Sequence, residues 1–120
     1  MKYWITIFVF VCIKCVAQSS SFIHPLDFTN SEYEKQKVIR FITDNMKETY
    51  SKIGMDDAVT LRMMEKAELD AFKELTKVKN RALLDRVIKT YCEIGMCNYN
   101  TILMMYKEQS KASQEELKWE

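Results

Sequence analysis

The scarcity of glycine and proline is the feature that most limits how this chain can fold. Its 120 residues include two glycines and one proline. A β-sandwich or β-barrel of this length needs a tight turn about every 8 to 12 residues, and Gly, Pro, Asn and Asp supply most such turns. Methionine, lysine and glutamate, which favour helices, are abundant instead. The sequence therefore predicts an all-α protein.

The two glycines occupy matching positions of an internal repeat. When the sequence is shifted by 41 positions, residues 40–71 align with residues 81–112 without a gap, and 12 of the 32 positions are identical. Unrelated segments should share about two identities over such a window. Two amphipathic helix pairs with similar apolar spacing are the alternative explanation, but the identities include Gly and Thr, which that spacing does not dictate. We interpret the chain as a duplicated unit.

Each unit is predicted to be a helical hairpin with a glycine at its turn. Ser31 and Glu34 have the spacing of a capping box at the start of the first helix. Gly54 should end that helix in the left-handed conformation, and Gly95 should do the same in the second unit. The residues expected to cap the second helix of each hairpin are Asp56 or Asp57 in the first unit and Asn98 or Asn100 in the second.

The join between the hairpins admits two architectures. Residues 57–91 contain no Gly or Pro, which permits one continuous helix of about 35 residues. Compact packing requires a reversal instead, which we place at residues 77–80. The sequence predicts a small four-helix array made of two duplicated hairpins. The alternative is two hairpins joined by one long central helix, an arrangement that would favour a homodimer.

Residues 1–17 have the layout of a secretory signal peptide. A lysine precedes an apolar run, and small residues follow at Cys15 and Ala17. Cleavage is expected after Ala17, with Ser19 as the second candidate. Lys14 interrupts the run short of the roughly 20 apolar residues that a membrane span needs, so no stable membrane anchor is expected. The chain is predicted to be secreted and extracellular.

The rest of the chain is predicted to form one domain. Residues 18–30 are expected to be an extended arm. Residues 31–117 are expected to be a single helical domain made of two repeats, at about 31–71 and 72–112. A chain of about 100 residues can bury a workable core without metals or many disulfides.

Cys92 and Cys97 lie on either side of Gly95, at the second hairpin turn. A sharp reversal there should bring them close enough for a structural disulfide, which an oxidising compartment favours. Their spacing is not that of a Cys-x-x-Cys redox motif. Without the leader, neither a second cysteine pair nor a histidine other than His24 remains to complete a zinc site. No metal site and no cofactor are therefore predicted.

The charged residues and the single imidazole give little support to catalysis or nucleic-acid binding. His24 precedes Pro25 in the arm, and nothing nearby supplies a nucleophile and an oxyanion site. Two isolated glycines cannot form a phosphate-binding loop. The formal net charge of +1 gives no basic surplus for a nucleic acid. We expect no catalytic residues, no enzymatic activity and no nucleic-acid partner.

The mixed charges near the junction of the repeats are typical of a solvated helix face. Lys73 lies three residues after Asp70, and Lys77 lies three residues after Glu74. Oppositely charged residues at this spacing are neighbours on a helix. Two ion pairs within one helix, Asp70 with Lys73 and Glu74 with Lys77, are therefore expected.

Methionine is the one overrepresented side chain suited to a functional surface, because flexible thioethers adapt to varied partners. Ordinary core packing is the alternative role. The leading hypothesis is a secreted, non-enzymatic helical interaction protein that acts on an extracellular protein partner. The alternative is an extracellular carrier of a small apolar ligand in a helical core lined by Met and aromatic residues. The residues proposed for the contact surface or ligand site are Phe41, Tyr50, Met63, Met64, Phe72, Tyr91, Met104 and Met105.

Overall fold

The computed structural model describes residues 21–119, and the predicted signal peptide lies outside this range. The described residues contain four α-helices and no strand, so the predicted all-α, four-helix array is confirmed. A short 3₁₀ helix, Pro25–Asp27, precedes them. The α-helices are α1 (Glu32–Ser51), α2 (Ala58–Leu75), α3 (Arg81–Glu93) and α4 (Tyr99–Ala112).

A reversal at residues 76–80 separates the two hairpins. The Thr76 N–H still bonds to the Phe72 carbonyl oxygen at 3.1 Å, which completes α2. Asn80 then caps α3, because its side-chain oxygen accepts a hydrogen bond from the Leu83 N–H at 3.0 Å. The alternative of one long central helix is therefore wrong. The sequence favours a homodimer only if that long helix forms, so this reason to expect a homodimer no longer applies.

The turns of the two hairpins share two backbone hydrogen bonds, one from each glycine and one from the residue after it. Gly54 has φ of 71° and Gly95 has φ of 81°, both in the left-handed region. The N–H of the residue that follows each glycine bonds back to a tyrosine carbonyl oxygen, at 2.9 Å in both turns. This is the Schellman pattern that leaves few helix carbonyls unsatisfied. The donor and acceptor pairs are Met55 with Tyr50 and Met96 with Tyr91.

The next helix of each hairpin starts at a matching cap. The Asp57 side chain accepts a hydrogen bond from the Thr60 N–H at 2.9 Å, and the Asn98 side chain accepts one from the Thr101 N–H at 2.8 Å. Both caps stand at matching positions of the repeat, so the second helix of each hairpin begins in the same way.

The helices pack within each hairpin and through α2 and α4 between hairpins. Glu68 of α2 contacts the first residues of α4, and Glu74 pairs with Lys107 further along α4, so these helices run in the same direction. The core lies along this α2 and α4 interface and under α1. Its buried hydrophobic residues are Val38, Phe41, Ile42, Met46, Leu61, Ala71, Phe72, Leu75, Leu83, Leu84, Val87, Tyr99 and Ile102.

Residues 21–30, the described part of the predicted arm, lie against the core. The backbone is extended at His24 and Phe28, on either side of the 3₁₀ helix Pro25–Asp27. Pro25 is buried, and four neighbours are partly buried against the core: Phe22, Ile23, Leu26 and Phe28. Two polar contacts fasten the arm to α3: a hydrogen bond between His24 Nε2 and Oδ1 of Asp85 at 2.6 Å, and an ion pair between Asp27 and Arg81 at 2.9 Å.

Candidate binding surfaces

The structure distributes the eight predicted contact residues over three environments. Phe41 and Phe72 are buried in the core, whereas Met63 and Met104 are 62% and 56% exposed. The other four are partly buried: Tyr50, Met64, Tyr91 and Met105. The eight side chains therefore do not form one surface. Adjacent methionines in each repeat divide between core and solvent because neighbouring positions on a helix point in different directions.

Tyr99 joins the buried aromatic residues into one cluster. Its ring centroid lies 5.6 Å from that of Phe41 and 4.8 Å from that of Phe72. The arm closes the cluster on both sides, with Phe22 against Phe41 and Phe28 against Phe72. The aromatic residues proposed for a ligand-lined core are thus packed against one another.

The hydroxyl of Tyr99 also holds the arm in place. It donates a hydrogen bond to the Ile23 carbonyl oxygen at 2.8 Å and accepts one from the Ile23 N–H at 3.2 Å. Burial raises the pKa of Tyr99 far above its ordinary value, so the hydroxyl stays neutral. The repeat does not indicate this role, because the residue of the first repeat that matches Tyr99 is Ala58.

Glu68 is a buried carboxylate that caps a neighbouring helix. Its side chain is on α2, only 3% of the residue is exposed, and its two oxygens accept hydrogen bonds from the first backbone amides of α4. These bonds come from the Tyr99 N–H at 2.7 Å and the Asn100 N–H at 3.0 Å. Desolvation raises the pKa of Glu68, and the two hydrogen bonds oppose that rise. This arrangement fixes α4 on α2, and sequence spacing could not reveal it because it joins two distant segments.

The disulfide and the turn around it are tied to α1. The sulfur atoms of Cys92 and Cys97 are 2.12 Å apart, which is bonding distance, so the two cysteines are paired as predicted. The Asn45 side-chain amide on α1 donates a hydrogen bond to the Cys97 carbonyl oxygen at 3.2 Å. The second hairpin turn is therefore fixed to the first hairpin.

Exposed apolar side chains lie in the turn of each hairpin and near the start of the helix that follows it. We define the first apolar tip as Ile53, Met55, Val59 and Met63, which are all exposed. Val59, 77% exposed, and Met63 are one helical turn apart and share a face of α2. The second apolar tip consists of the matching residues Ile94, Met96 and Met104, which are also exposed. Asn100 replaces the fourth apolar residue there.

An apolar concavity lies between α1, α2 and the arm. We call it the α1–α2 groove. It has a volume of about 730 Å³, and its apolar lining consists of Phe28, Val38, Ile39, Leu69 and Phe72. Only Phe72 was among the residues that the sequence proposed for a ligand site.

The ion pairs near this groove differ from the predicted ones. Glu74 pairs with Lys107 of α4, at 3.0 Å, instead of with Lys77. Neither Lys73 nor Lys77 pairs with a carboxylate of residues 21–119, and both line the α1–α2 groove. The two predicted pairs are therefore wrong. Glu74 finds a partner on the neighbouring helix, which helical spacing cannot anticipate, and nothing in the structure explains why Asp70 and Lys73 do not pair.

Within residues 21–119, no helix is both long and apolar enough to cross a membrane. The same part of the chain contains no group of three or more His, Cys, Asp or Glu residues placed to hold a metal ion. No protein-family model, curated protein or solved structure matches the chain significantly.

Proposed function

We propose that this chain is a secreted, non-enzymatic interaction protein that binds an extracellular protein partner through its apolar tips. The observation that carries the proposal is the exposure of apolar side chains at matching positions of both repeats. Three pairs share this exposure: Ile53 with Ile94, Met55 with Met96, and Met63 with Met104. Clustered apolar side chains in contact with water are typical of a protein contact site.

The rigidity of the two turns supports this proposal. Binding costs less when the contacting segments are already ordered. The backbone hydrogen bonds from Met55 and Met96 order both tips, and the disulfide adds a second closure to the second tip. Methionine is enriched in protein interfaces, where its flexible side chain fits irregular surfaces. Rigid turns that present adaptable side chains suit a partner surface of defined shape.

Secretion is supported by the leader-like residues 1–17 and by the cysteine pair. Disulfides persist mainly in oxidising compartments. The test is expression of the full chain in secretory cells, followed by N-terminal sequencing of protein from the medium. The expected first residue is Gln18, or Ser20 if cleavage follows Ser19. Protein that stays in the cell and begins at Met1 would contradict secretion.

The contact surface is tested with paired variants. Val59→Ser combined with Met63→Ser should weaken partner binding by roughly tenfold, because centrally placed apolar contacts carry much of an interface's energy. Ile39→Ser is the matched control, since Ile39 is also an exposed apolar residue but lies in the α1–α2 groove. Wild-type and variant proteins are immobilised, exposed to extracellular fluid of the source tissue, and the retained proteins are quantified by mass spectrometry.

Two results would overturn this assignment. One is the absence of any protein that wild type retains above the level of an unrelated helical protein. The other is equal retention by wild type and by the Val59 and Met63 double variant. Loss of binding in Ile39→Ser alone would move the contact site from the apolar tips to the α1–α2 groove.

The alternative of a carrier with its ligand in the helical core receives less support. Phe41 and Phe72 are in contact with Tyr99, so these rings already fill the interior position that a ligand would need. An apolar cavity of suitable size is found in the α1–α2 groove, where Phe28 and Phe72 of the cluster form part of the wall.

A further inference from the structure

The α1–α2 groove has the size and lining of a small-molecule site. Its volume of about 730 Å³ falls within the range of roughly 300 to 1,000 Å³ that such sites occupy. The apolar residues come from three segments: Phe28 from the arm, Val38 and Ile39 from α1, and Leu69 and Phe72 from α2. Phe28 and Phe72 meet edge to face, with centroids 5.1 Å apart, so this part of the lining is fixed by packing.

The charged residues that line the groove are all cationic. Lys35 is on α1, Lys73 is on α2 and Lys77 follows the end of α2, so cations flank the groove from the sides of both helices. No carboxylate of the described chain lines it. Lys35 bonds to Glu32 at 3.0 Å, whereas Lys73 and Lys77 pair with no carboxylate of residues 21–119.

The carboxylate best placed to neutralise these lysines is directed elsewhere. Glu74 lies between Lys73 and Lys77 in the sequence, but it is engaged by Lys107 of α4. The groove therefore combines an apolar surface with the positive charges of Lys73 and Lys77, which no carboxylate of residues 21–119 neutralises by ion pairing. Asn30 and Thr76 add polar groups at its edge.

We propose that the α1–α2 groove binds a fatty carboxylate. The acyl chain lies on Phe28, Ile39 and Leu69, and the carboxylate lies among the ammonium groups of Lys73, Lys77 and Lys35. The volume suits a single acyl chain, and the uniform positive charge selects an anionic head group over a neutral one. This site is distinct from the apolar tips and does not depend on the proposed protein partner.

The experiment uses dodecanoate below its micelle concentration and the purified full chain at low ionic strength. Calorimetry measures affinity, and amide chemical shifts locate the site. We expect saturable binding with shifts at Ile39, Leu69 and Lys73. Dodecanol, which lacks the charge, and butanoate, which lacks the long chain, should each bind at least roughly tenfold more weakly. Added salt should weaken dodecanoate binding, because exposed charges are screened.

Variants separate this site from unspecific attraction. Lys73→Met combined with Lys77→Met should raise the dissociation constant of dodecanoate by roughly tenfold. Lys66→Met is the matched control, because Lys66 is an exposed lysine of α2 outside the groove, and it should bind as wild type does. Ile39→Asp, which places a negative charge in the groove, should also weaken binding. Circular dichroism confirms that each variant is folded.

Several outcomes would overturn the proposal. They are no saturable binding, equal affinity for dodecanol and dodecanoate, or a loss in Lys66→Met as large as in the Lys73 and Lys77 double variant. Binding only of an acidic amphipathic peptide would assign the groove to a protein segment instead. Val59→Ser with Met63→Ser should leave dodecanoate binding unchanged, so failure of the proposed protein contact and failure of this site are distinguishable.

Discussion

The Oγ of Ser51 lies 3.3 Å from Oδ2 of Asp56, at the two positions where Cys92 and Cys97 form the disulfide of the second repeat. The single hydroxyl proton of Ser51 is shared between this carboxylate and the Lys47 carbonyl oxygen, which is 2.5 Å away. Two backbone hydrogen bonds close both turns at matching positions and with equal lengths, 3.2 Å from each glycine N–H and 2.9 Å from the N–H of the methionine after it. One repeat thus closes its turn with a polar contact and the other with a covalent bond.

This equivalence predicts that the first turn accepts a disulfide. Ser51→Cys combined with Asp56→Cys should oxidise to a second bridge, because the two turns share their backbone hydrogen bonds. Closing such a short loop should stabilise the protein by about 2 kcal/mol. Mass spectrometry before and after reduction counts the bridges, and denaturant unfolding measures the gain. Thiols that stay free under oxidising conditions would show that the two turns are not equivalent.

The left-handed glycines give a second prediction. Gly54→Ala should lower the unfolding free energy by about 1 kcal/mol, because a side chain disfavours positive φ. An added Cβ at Gly54 would meet no atom within 4 Å, so the cost is conformational and not steric crowding by neighbours. Gly95→Ala should cost a similar amount. Gly54→Asn is the control and should cost less, since Asn tolerates this conformation better. Denaturant unfolding compares the variants, and wild-type stability in Gly54→Ala would contradict this account.

Local features of this fold could be predicted from the sequence, because their signals lie within a few residues of one another. The glycine turns, the cap at Asp57 and the reversal at residues 77–80 are of this kind. Turn geometry and capping depend mainly on backbone conformation and near neighbours. The architecture follows from these local elements plus the amphipathic pattern of the helices.

The candidate sites could not be predicted in the same way. Glu68 and Tyr99 are 31 positions apart, and Tyr99 and Ile23 are 76 apart, so their contacts exist only after the segments meet. The repeat does not reveal these contacts either, because Gln109 matches Glu68 and Ala58 matches Tyr99. The charge of the α1–α2 groove could not be predicted for the same reason. Glu74 pairs with Lys107 on another helix and not with Lys77, which is its neighbour in the sequence.

The contact between Tyr99 and the arm gives a third prediction. Tyr99→Phe should lower the unfolding free energy by about 1 to 2 kcal/mol, because the Ile23 N–H and carbonyl lose their shared partner. Amide exchange should accelerate over residues 22–28. Tyr106→Phe is the matched control, since its hydroxyl contacts the exposed Asn80 N–H and not the arm. Mass spectrometry measures the exchange rates of the arm amides in each protein. Equal protection of the arm in wild type and in Tyr99→Phe would contradict the anchoring role of Tyr99.

Glu68 gives a prediction about pH. Its raised pKa means that the folded state binds its proton more tightly than the unfolded state does. The stability from this group is therefore complete below the ordinary glutamate pKa and declines as pH rises through the folded-state pKa. Glu68→Gln lacks this titration, and its side-chain NH2 presents hydrogens to one of the two backbone amides. The hydroxyl oxygen of a protonated Glu68 still offers that amide a lone pair, so the variant should lose about 1 to 3 kcal/mol even in acid.

The stability deficit of Glu68→Gln should therefore be largest in acid and should shrink toward neutral pH. Denaturant unfolding of wild type and variant across that range measures the difference in unfolding free energy at each pH, and taking differences cancels the groups that both proteins share. Glu108→Gln, on the exposed surface of α4, is the control and should differ little from wild type. A deficit that grows as pH rises would show that the buried carboxylate is held by its two hydrogen bonds more strongly than desolvation disfavours it.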